Sequence, residues 1–467
     1  MSQNESSVQR ARRAAWITLP AIAAAALFAL PGAASAQEGE ATFVRDVGPQ
    51  AITFSRDVAP IINANCVSCH SAGGIGPMEL TSYEQARIYA PLIADRVARG
   101  DMPPYAYDRD IGIQELQHDW RLSRQEINTI VAWAENGAPV GDPNNIPAPK
   151  LPDLAAWNFT DQFGPPDLIV PSTPIDVPAK GNDMWHRPYV PTGLTEDRCI
   201  RAVQVKPSGN AKTVVHHANS SFQIRQDDGS FEPSERVTEY AMGKVGEIVP
   251  DGVCRVAPAD GWVLWDIHLY PGGIGKTAPG AVVEDNVVEI GLWLHPEDYE
   301  YEYKQDLSLY GIDEGELVIP PHGTTMTQGH HTFDHPVRID SFQPHGHLRM
   351  NAASLEIYYP ETGDTEAISM VSNWSAQWHH SHLYEPDVAP LVPAGAVIVL
   401  KQWYDNTAQN PNNPDPDMWV DAGSRTADEM DHAWIAITHL DEEGYQEILA
   451  QREAREAAAE TAETHLH

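Results

Sequence analysis

The sequence predicts a multidomain chain in which a small helical segment precedes one or two β-sandwiches. Three observations carry this. Residues 54–137 hold three stretches of helical character around a Cys-x-x-Cys-His motif; a Pro-rich run, Gly141–Pro152, then interrupts the pattern; and from Pro165 onward the texture changes to short alternating runs cut by Gly, Pro and Asp. A length of 467 residues leaves room for about three domains at roughly 100–200 residues each. With 42% hydrophobic and 21% charged residues, the chain can bury a core and is not a disordered polymer. Its 30 Lys plus Arg against 66 Asp plus Glu give a formal charge of -36, a surface that repels phosphate backbones, so nucleic acid is excluded as a partner. Only four cysteines are present, whereas 20 histidines occur, many in clusters, a balance that points to a metal protein.

The elements follow in order. Arg10, Arg12 and Arg13, the apolar run Trp16–Leu30 and the small residues Gly32–Ala36 form the basic, apolar and small-residue succession of a cleavable secretory signal, residues 1–36. The run is shorter than the roughly 20 apolar residues of a spanning helix, and nothing else in the chain could cross a membrane. No cysteine follows the small-residue site, which argues against a lipid anchor. The expectation is a periplasmic or secreted protein with no membrane span.

Residues 50–145 carry Cys66-Val67-Ser68-Cys69-His70, the C-x-x-C-H attachment signature of haem c. Two thiols three apart reach the two vinyl groups of one haem, and the adjacent His70 supplies the proximal iron ligand. A redox dithiol is the alternative, but it needs no histidine. A low-spin haem wants a second axial ligand, often Met. Met102, on a Pro-fixed loop after the helical stretch Tyr83–Arg99, is preferred over Met78 and His118. Ser123 followed by Glu126 reads as a capping box, Ile127, Ile130, Val131 and Trp133 as the apolar face of a closing helix, and Gly137 as its stop. The segment resembles a small class I-type cytochrome c domain, which implies an all-α fold over 50–145. A linker spans 146–164.

Beyond it, runs such as Arg201–Val205, Val263–Leu269, Val287–Leu294 and Ser354–Tyr359 read as short sandwich strands. Cys199 and Cys254, an even pair in an exported chain, most simply form one disulfide. His216-His217 ends the run Thr213–Val215, and His268 lies in a largely apolar strand. Adjacent histidines on an extended strand point to opposite faces, so they share a metal only at a strand end or bend. Three imidazoles suit copper or zinc. His345-Gly346-His347 puts two imidazoles on one strand face, and Met430 precedes the strand-like stretch His432–His439. Two imidazoles with a thioether would select copper, with sulfur favouring Cu(I).

The succession His-His, lone strand His, His-x-His and Asp428-Glu429-Met430 resembles the copper type II, ascorbate-dependent monooxygenases, the family of peptidylglycine α-hydroxylating and dopamine β-monooxygenases. Trp403-Tyr404-Asp405-Asn406 and Pro411–Pro416 are similar to its bacterial branch. The resemblance covers about residues 165–445. It implies two antiparallel, jelly-roll-like β-sandwich copper domains, 165–315 and 316–445, facing each other across an open cleft. His216, His217 and His268 would hold an electron-transfer copper; His345, His347 and Met430 would hold the catalytic, oxygen-binding copper. The implied cofactors are two copper ions and one covalent haem c, and the implied partners are O2, a small organic substrate hydroxylated at a C–H bond, and a periplasmic one-electron donor.

The sequence departs from the family where the peptide-amidating branch holds a substrate carboxylate with Arg: Gln343 stands there instead, which removes the bidentate clamp. With His432 and Trp434 it suggests a more neutral substrate pocket, with Trp378, His379 and His380 as outsiders or as plain packing. The fused haem would deliver electrons to the His216, His217 and His268 copper. His322, His330, His331 and His335 read as a solvated loop, and the Ala/Glu-rich tail 446–467 as a fraying helix. Other readings of the chain are a copper-binding or electron-transfer module, or a copper–haem dehydrogenase without oxygen insertion.

Overall fold

A computed structural model describes residues 51–153, 155–241, 244–271, 282–312 and 314–464; the expected signal segment, 1–36, lies outside them. The amino-terminal part opens with a π-helical turn, Phe54–Val58, that runs into α1 (Ala59–Asn65), followed by α2 (Tyr83–Ile88), α3 (Ala90–Ala98) and α4 (Arg124–Glu135). The capping box is present: Glu126 N–H donates to Ser123 Oγ at 3.2 Å and Ser123 N–H to Glu126 Oε2 at 2.7 Å. Ile130 and Trp133 are fully buried, and Gly137 leaves the helix at φ +84°. These helices share a core that includes Phe54, Ile62, Val97 and Leu122.

The expected all-α cytochrome c domain is nevertheless not what forms. Between α3 and α4 the chain makes two strands, β1 (Tyr107–Gly112) and β2 (Leu116–Gln117). Both are donated to sheets built mainly from the far end of the chain, β1 against residues 369–371 and β2 against residues 383–384. Tyr105, Tyr107 and Leu116 belong to the second sandwich's core, and the Tyr107 hydroxyl hydrogen-bonds the Ile368 carbonyl and Ser369. Only Tyr107 of β1 is buried, because the strand sits at a sheet edge. Its acidic residues therefore hide the period-two pattern that would mark it in the sequence.

The β-sandwich part agrees with expectation. Its main strands are β3 (Leu168–Pro171), β4 (Met184–His186), β5 (Arg198–Pro207), β6 (Val215–Arg225), β7 (Phe231–Ala241), β8 (Val253–Ala257), β9 (Gly261–Leu269) and β10 (Val288–Leu294). They continue with β11 (Tyr303–Gly311), β12 (Thr324–Thr332), β13 (Val337–His345), β14 (Met350–Tyr359), β15 (Asp364–Val371), β16 (His382–Tyr384), β17 (Val397–Asp405) and β18 (His432–His439). One sheet runs β4-β9-β6-β7 and another β1-β15-β14-β17-β12. Each packs on half of a long third sheet, β2-β16-β13-β18-β11-β8-β5-β10-β3. Phe222, Val263, Trp265 and Ile290 fill the first interior; Phe342, Leu355, Leu400 and Ile435 fill the second.

The junction is the parallel pairing of β8 with β11, Val253 opposite Tyr303 and Cys254 opposite Lys304. It fuses the two sandwiches into one continuous sheet. Strand β11 also pairs along its whole length with β18, from Lys304–His439 to Gly311–His432. His322, His330, His331 and His335 do not form one site: His330 and His331 lie on β12 rather than in a loop, and His335 turns to His439. The tail is helix α5 (Glu442–Thr464), whose Arg452 donates to the Ala389 carbonyl at 2.7 Å. No helix among the described residues is long and apolar enough to cross a membrane.

Cys199 on β5 and Cys254 on β8 form the expected disulfide, closing a separation of 55 residues. Cys254 is also the residue that meets β11. By the chain-entropy argument, Cys199→Ala with Cys254→Ala should lower the unfolding free energy by about 2–4 kcal/mol. Urea denaturation of the double variant beside the parent would show this, and an unchanged midpoint would contradict it.

Candidate metal centre

The first histidine set depends on a bulge. His268 on β9 pairs with His217 on β6, but the next β9 residue, Leu269, pairs with Val215, so His216 is left as the extra residue. A bulge bends a strand and re-aims its side chains. Here it lets two adjacent histidines turn to one side, which a regular strand forbids. Ring centroids are 5.2 Å apart for His216–His217 and His216–His268 and 4.9 Å for His217–His268. One ligand atom from each lies within 4.8 Å of the others. Trp185, opposite His268 on β4, stacks on its ring at 4.6 Å, and the Asp183 carboxylate stands 3.2 Å from Nε2.

The burial of His268 is itself informative. Along β9 the side chains alternate inward and outward from Gly261 to Ile267, yet His268, on the outward phase, is only 3% exposed. The stacked Trp185 ring and the neighbouring His216 and His217 rings lie against it.

The second set lies at the end of β13. His345 is the cross-strand partner of His432, their rings nearly parallel at 4.7 Å, and His347 is 5.7 Å from His345. The chain around His347 is fixed by residues 428–430. His347 Nδ1–H donates to the Asp428 carbonyl at 3.0 Å, while the backbone N–H groups of His347 and Arg349 donate to the Glu429 carboxylate at 2.7 and 2.6 Å. Burial raises the Glu429 carboxyl to about 7 despite these bonds. Met430 follows, its carbonyl bonded by the Tyr404 hydroxyl at 2.8 Å. Met430 borders a cavity of about 180 Å³ with Asp431, His432 and Tyr310.

The two sets are not separated by an open cleft. His217 and His345 rings are 6.0 Å apart, and His379 joins both sets, at 5.9 Å from His216, 5.8 Å from His217 and 4.8 Å from His345. Among imidazole and carboxylate donors, the set that closes on His345 is His379 with Glu239, not His347. Sequence reasoning gave neither as a ligand, naming His379 only as an outsider for the substrate pocket. The signal for His379 was the run Trp378-His379-His380-Ser381-His382, three histidines within four positions; Glu239, one acid among many, gave none.

The proposed substrate residues do not line one pocket. Gln343 is 1% exposed, its amide donating to Glu239 and its carbonyl accepting from Lys244 at 3.0 Å. Trp434 is buried with Leu307 and Ala436, with the Arg236 guanidinium 5.3 Å over its ring. Only His432 reaches the cavity beside Met430.

Does the cluster fit a metal? Burial, reinforced by neighbouring imidazoles, lowers His216 to about 3 and takes His217 and His345 well below the ordinary range. Burial likewise lowers His347 to about 4 and His432 to about 3. The rings are therefore neutral at pH 7, the form that ligates. Both ring nitrogens of His379, and Nδ1 of His268 and of His345, lack a hydrogen-bond partner among the described residues. Buried polar atoms are normally satisfied, so the donors fit an ion.

Of the residues expected to hold a haem, Cys66 and Met102 pack against one core. Cys66 and Cys69 are free thiols, and burial raises Cys66 to about 12, which disfavours the thiolate that a redox dithiol needs. His70 Nδ1–H donates to the Met78 carbonyl at 2.9 Å, a bond that would orient the ring as a ligand. Met102 packs against the same core as Cys66, whereas His118 packs beside Phe159 at 6.5 Å.

No protein-family model matches the sequence, and no curated protein matches it. Among solved structures, the major capsid protein P2 of bacteriophage PM2 aligns over 57% of this chain and 98% of its own at 8% identity, with a TM-score of 0.20. A fucolectin from striped bass (Morone saxatilis) serum aligns over 58% and 86% at 10% identity, with a TM-score of 0.15. Likenesses of this size carry no argument.

The lowered imidazoles set the sign of a pH effect on the metal-free chain. Unfolded histidines take up protons below about pH 6.5 while the folded rings do not. Stability should therefore fall from about pH 6.5 downward, by up to about 1.4 kcal/mol per pH unit for each such ring. Glu429, raised toward 7, acts oppositely, as do the raised His439, Glu235 and Asp431, but these are fewer than the lowered rings. Urea midpoints of metal-free protein between pH 7 and 5 measure this; a midpoint that rises on acidification would refute it.

Proposed function

We propose that this chain is an exported, haem-linked dicopper monooxygenase that hydroxylates a C–H bond of a small organic substrate with O2. The observation that carries the reading is the convergence of two histidine sets from different sandwiches, with ring nitrogens of His268, His345 and His379 buried and without a hydrogen-bond partner among the described residues. Storage of one metal does not need two differently built sets. His216, His217 and His268 would hold one copper, and His345, His347 and Met430 the other; Cys66, Cys69 and His70, with Met102, would hold the haem. Bound copper supplies one-electron redox chemistry and oxygen activation, and haem c supplies one-electron transfer.

The residues of the chain have separate tasks in this reading. The His216 bulge and the Trp185 stack hold the first three imidazoles in place, and the hydrogen bond to Asp428 fixes which His347 nitrogen faces inward. Glu429 anchors the segment that carries Met430. The cavity beside Met430 and His432 is the place for a small substrate.

Delivery from the haem is supported by two contacts. Lys212, four residues before His216, donates to the Gly73 carbonyl at 2.8 Å, next to the Cys-x-x-Cys-His segment. Tyr105 and Trp120 lie 5.6 and 5.3 Å from His380, the neighbour of His379. Met102→Ala should slow reduction of the copper by a periplasmic donor while leaving turnover with ascorbate largely intact. Equal, unchanged rates with both donors would count against delivery through the haem.

Metal analysis of mature, haem-loaded and copper-reconstituted protein tests the whole reading. The expected content after reconstitution with Cu(I) is two coppers and one iron per chain, falling to one copper when His347 and Met430 are both replaced. Iron with no tightly bound copper would sink it. The close approach of the two histidine sets favours a second reading, an electron-transfer module or a dehydrogenase without oxygen insertion. Labelled O2 separates them: the monooxygenase puts an O2-derived atom into product, and the alternatives do not.

A further inference from the structure

Glu239 stands on β7 of the first sandwich and is 1% exposed. One carboxylate oxygen, Oε2, takes the Gln343 amide. The other, Oε1, has no hydrogen-bond partner among the described residues, and it faces two imidazole nitrogens that also lack one. His379 Nδ1 is 3.6 Å away and His345 Nδ1 4.0 Å. Leaving a buried polar atom unpaired costs about 1–3 kcal/mol, and three such atoms converge on one spot. Tetrahedral N and O ligands at about 2.0–2.2 Å from an ion stand roughly 3.4 Å apart, so small inward shifts would complete coordination.

We propose that Glu239, His345 and His379 form a metal site spanning the two sandwiches, and that it takes a divalent ion. The proposal rests on the reading of His345 as a copper ligand and gives that imidazole a second set of co-ligands. The two sets differ in kind. A carboxylate with two imidazoles suits Cu(II) or Zn(II), whereas the Met430 thioether favours Cu(I). Since Glu239 comes from the first sandwich and both imidazoles from the second, an ion here holds the two together, and neither sandwich has the site alone.

The test is a titration of the metal-free full chain with Cu(II), and with Zn(II) as a redox-silent probe, against a competing chelator. Parent, Glu239→Gln, His379→Asn and Met430→Leu proteins are compared, with the thermal midpoint of each metal-free form as a check on folding. Glu239→Gln and His379→Asn should each weaken one Cu(II) ion at least about tenfold and leave the ion at His216, His217 and His268 unchanged. Met430→Leu should leave both Cu(II) affinities unchanged. Unaltered binding in both Glu239→Gln and His379→Asn would overturn the spanning site while leaving the dicopper reading standing, and so would loss of the same ion in Met430→Leu. A parent protein that binds no Cu(II) would remove the dicopper reading and this site together.

Discussion

The candidate site depends on one constraint: imidazoles taken out of water between two sandwiches must either stay neutral or meet a cation. The parallel join of β8 to β11 brings the two sandwiches against each other, and the Cys199–Cys254 bond ties the same strand to β5. His268 sits on the outward phase of its strand and is nevertheless buried, with the Trp185 ring stacked on it. Desolvation does the rest. It pushes proton affinity down in ring after ring, and it leaves lone pairs aimed at one another where hydrogen-bond donors would normally be found.

The polar wall around this cluster is organised differently from the two apolar cores. Glu239, Gln343, Lys244, Glu247 and Arg255 form a connected network across the junction, with Lys244 and Arg255 each 2.8–2.9 Å from the Glu247 carboxylate. Buried ion pairs return little net stability over apolar packing. Their value here lies in register: Gln343 is two residues from His345, and Glu239 two from Ala241, the cross-strand partner of His217. The network therefore sets where both histidine sets meet.

Much of this was legible in the sequence, and the exceptions share a cause. His216, His217, His268, His345 and His347 announced themselves because clustered imidazoles in apolar runs have few other uses, and the Ser123–Glu126 cap and the cysteine pair follow local rules. What stayed hidden was non-local. The strand Tyr107–Gly112 carries acids because one face of it is solvent, so it reads as a loop. Glu239 and His379 matter only through the partners that tertiary structure gives them. Gln343 and Trp434 were read as facing a substrate, but the wall between the sandwiches and the packing on β11 claim them instead.

The donated strand has a consequence for the order of events during synthesis. The Tyr107 hydroxyl reaches the Ile113 carbonyl locally but meets the Ile368 carbonyl only 261 residues later, and β1 has no sheet to join until Val371 has been made. Loop closure over such a span is slow, and an unpaired edge is exposed meanwhile. The amino-terminal helices can pack as they emerge, but the segment from Tyr105 to Leu116 must wait for nearly the whole chain. A protein truncated before residue 364 would thus carry an early segment that is complete in sequence yet lacks the strand it pairs with.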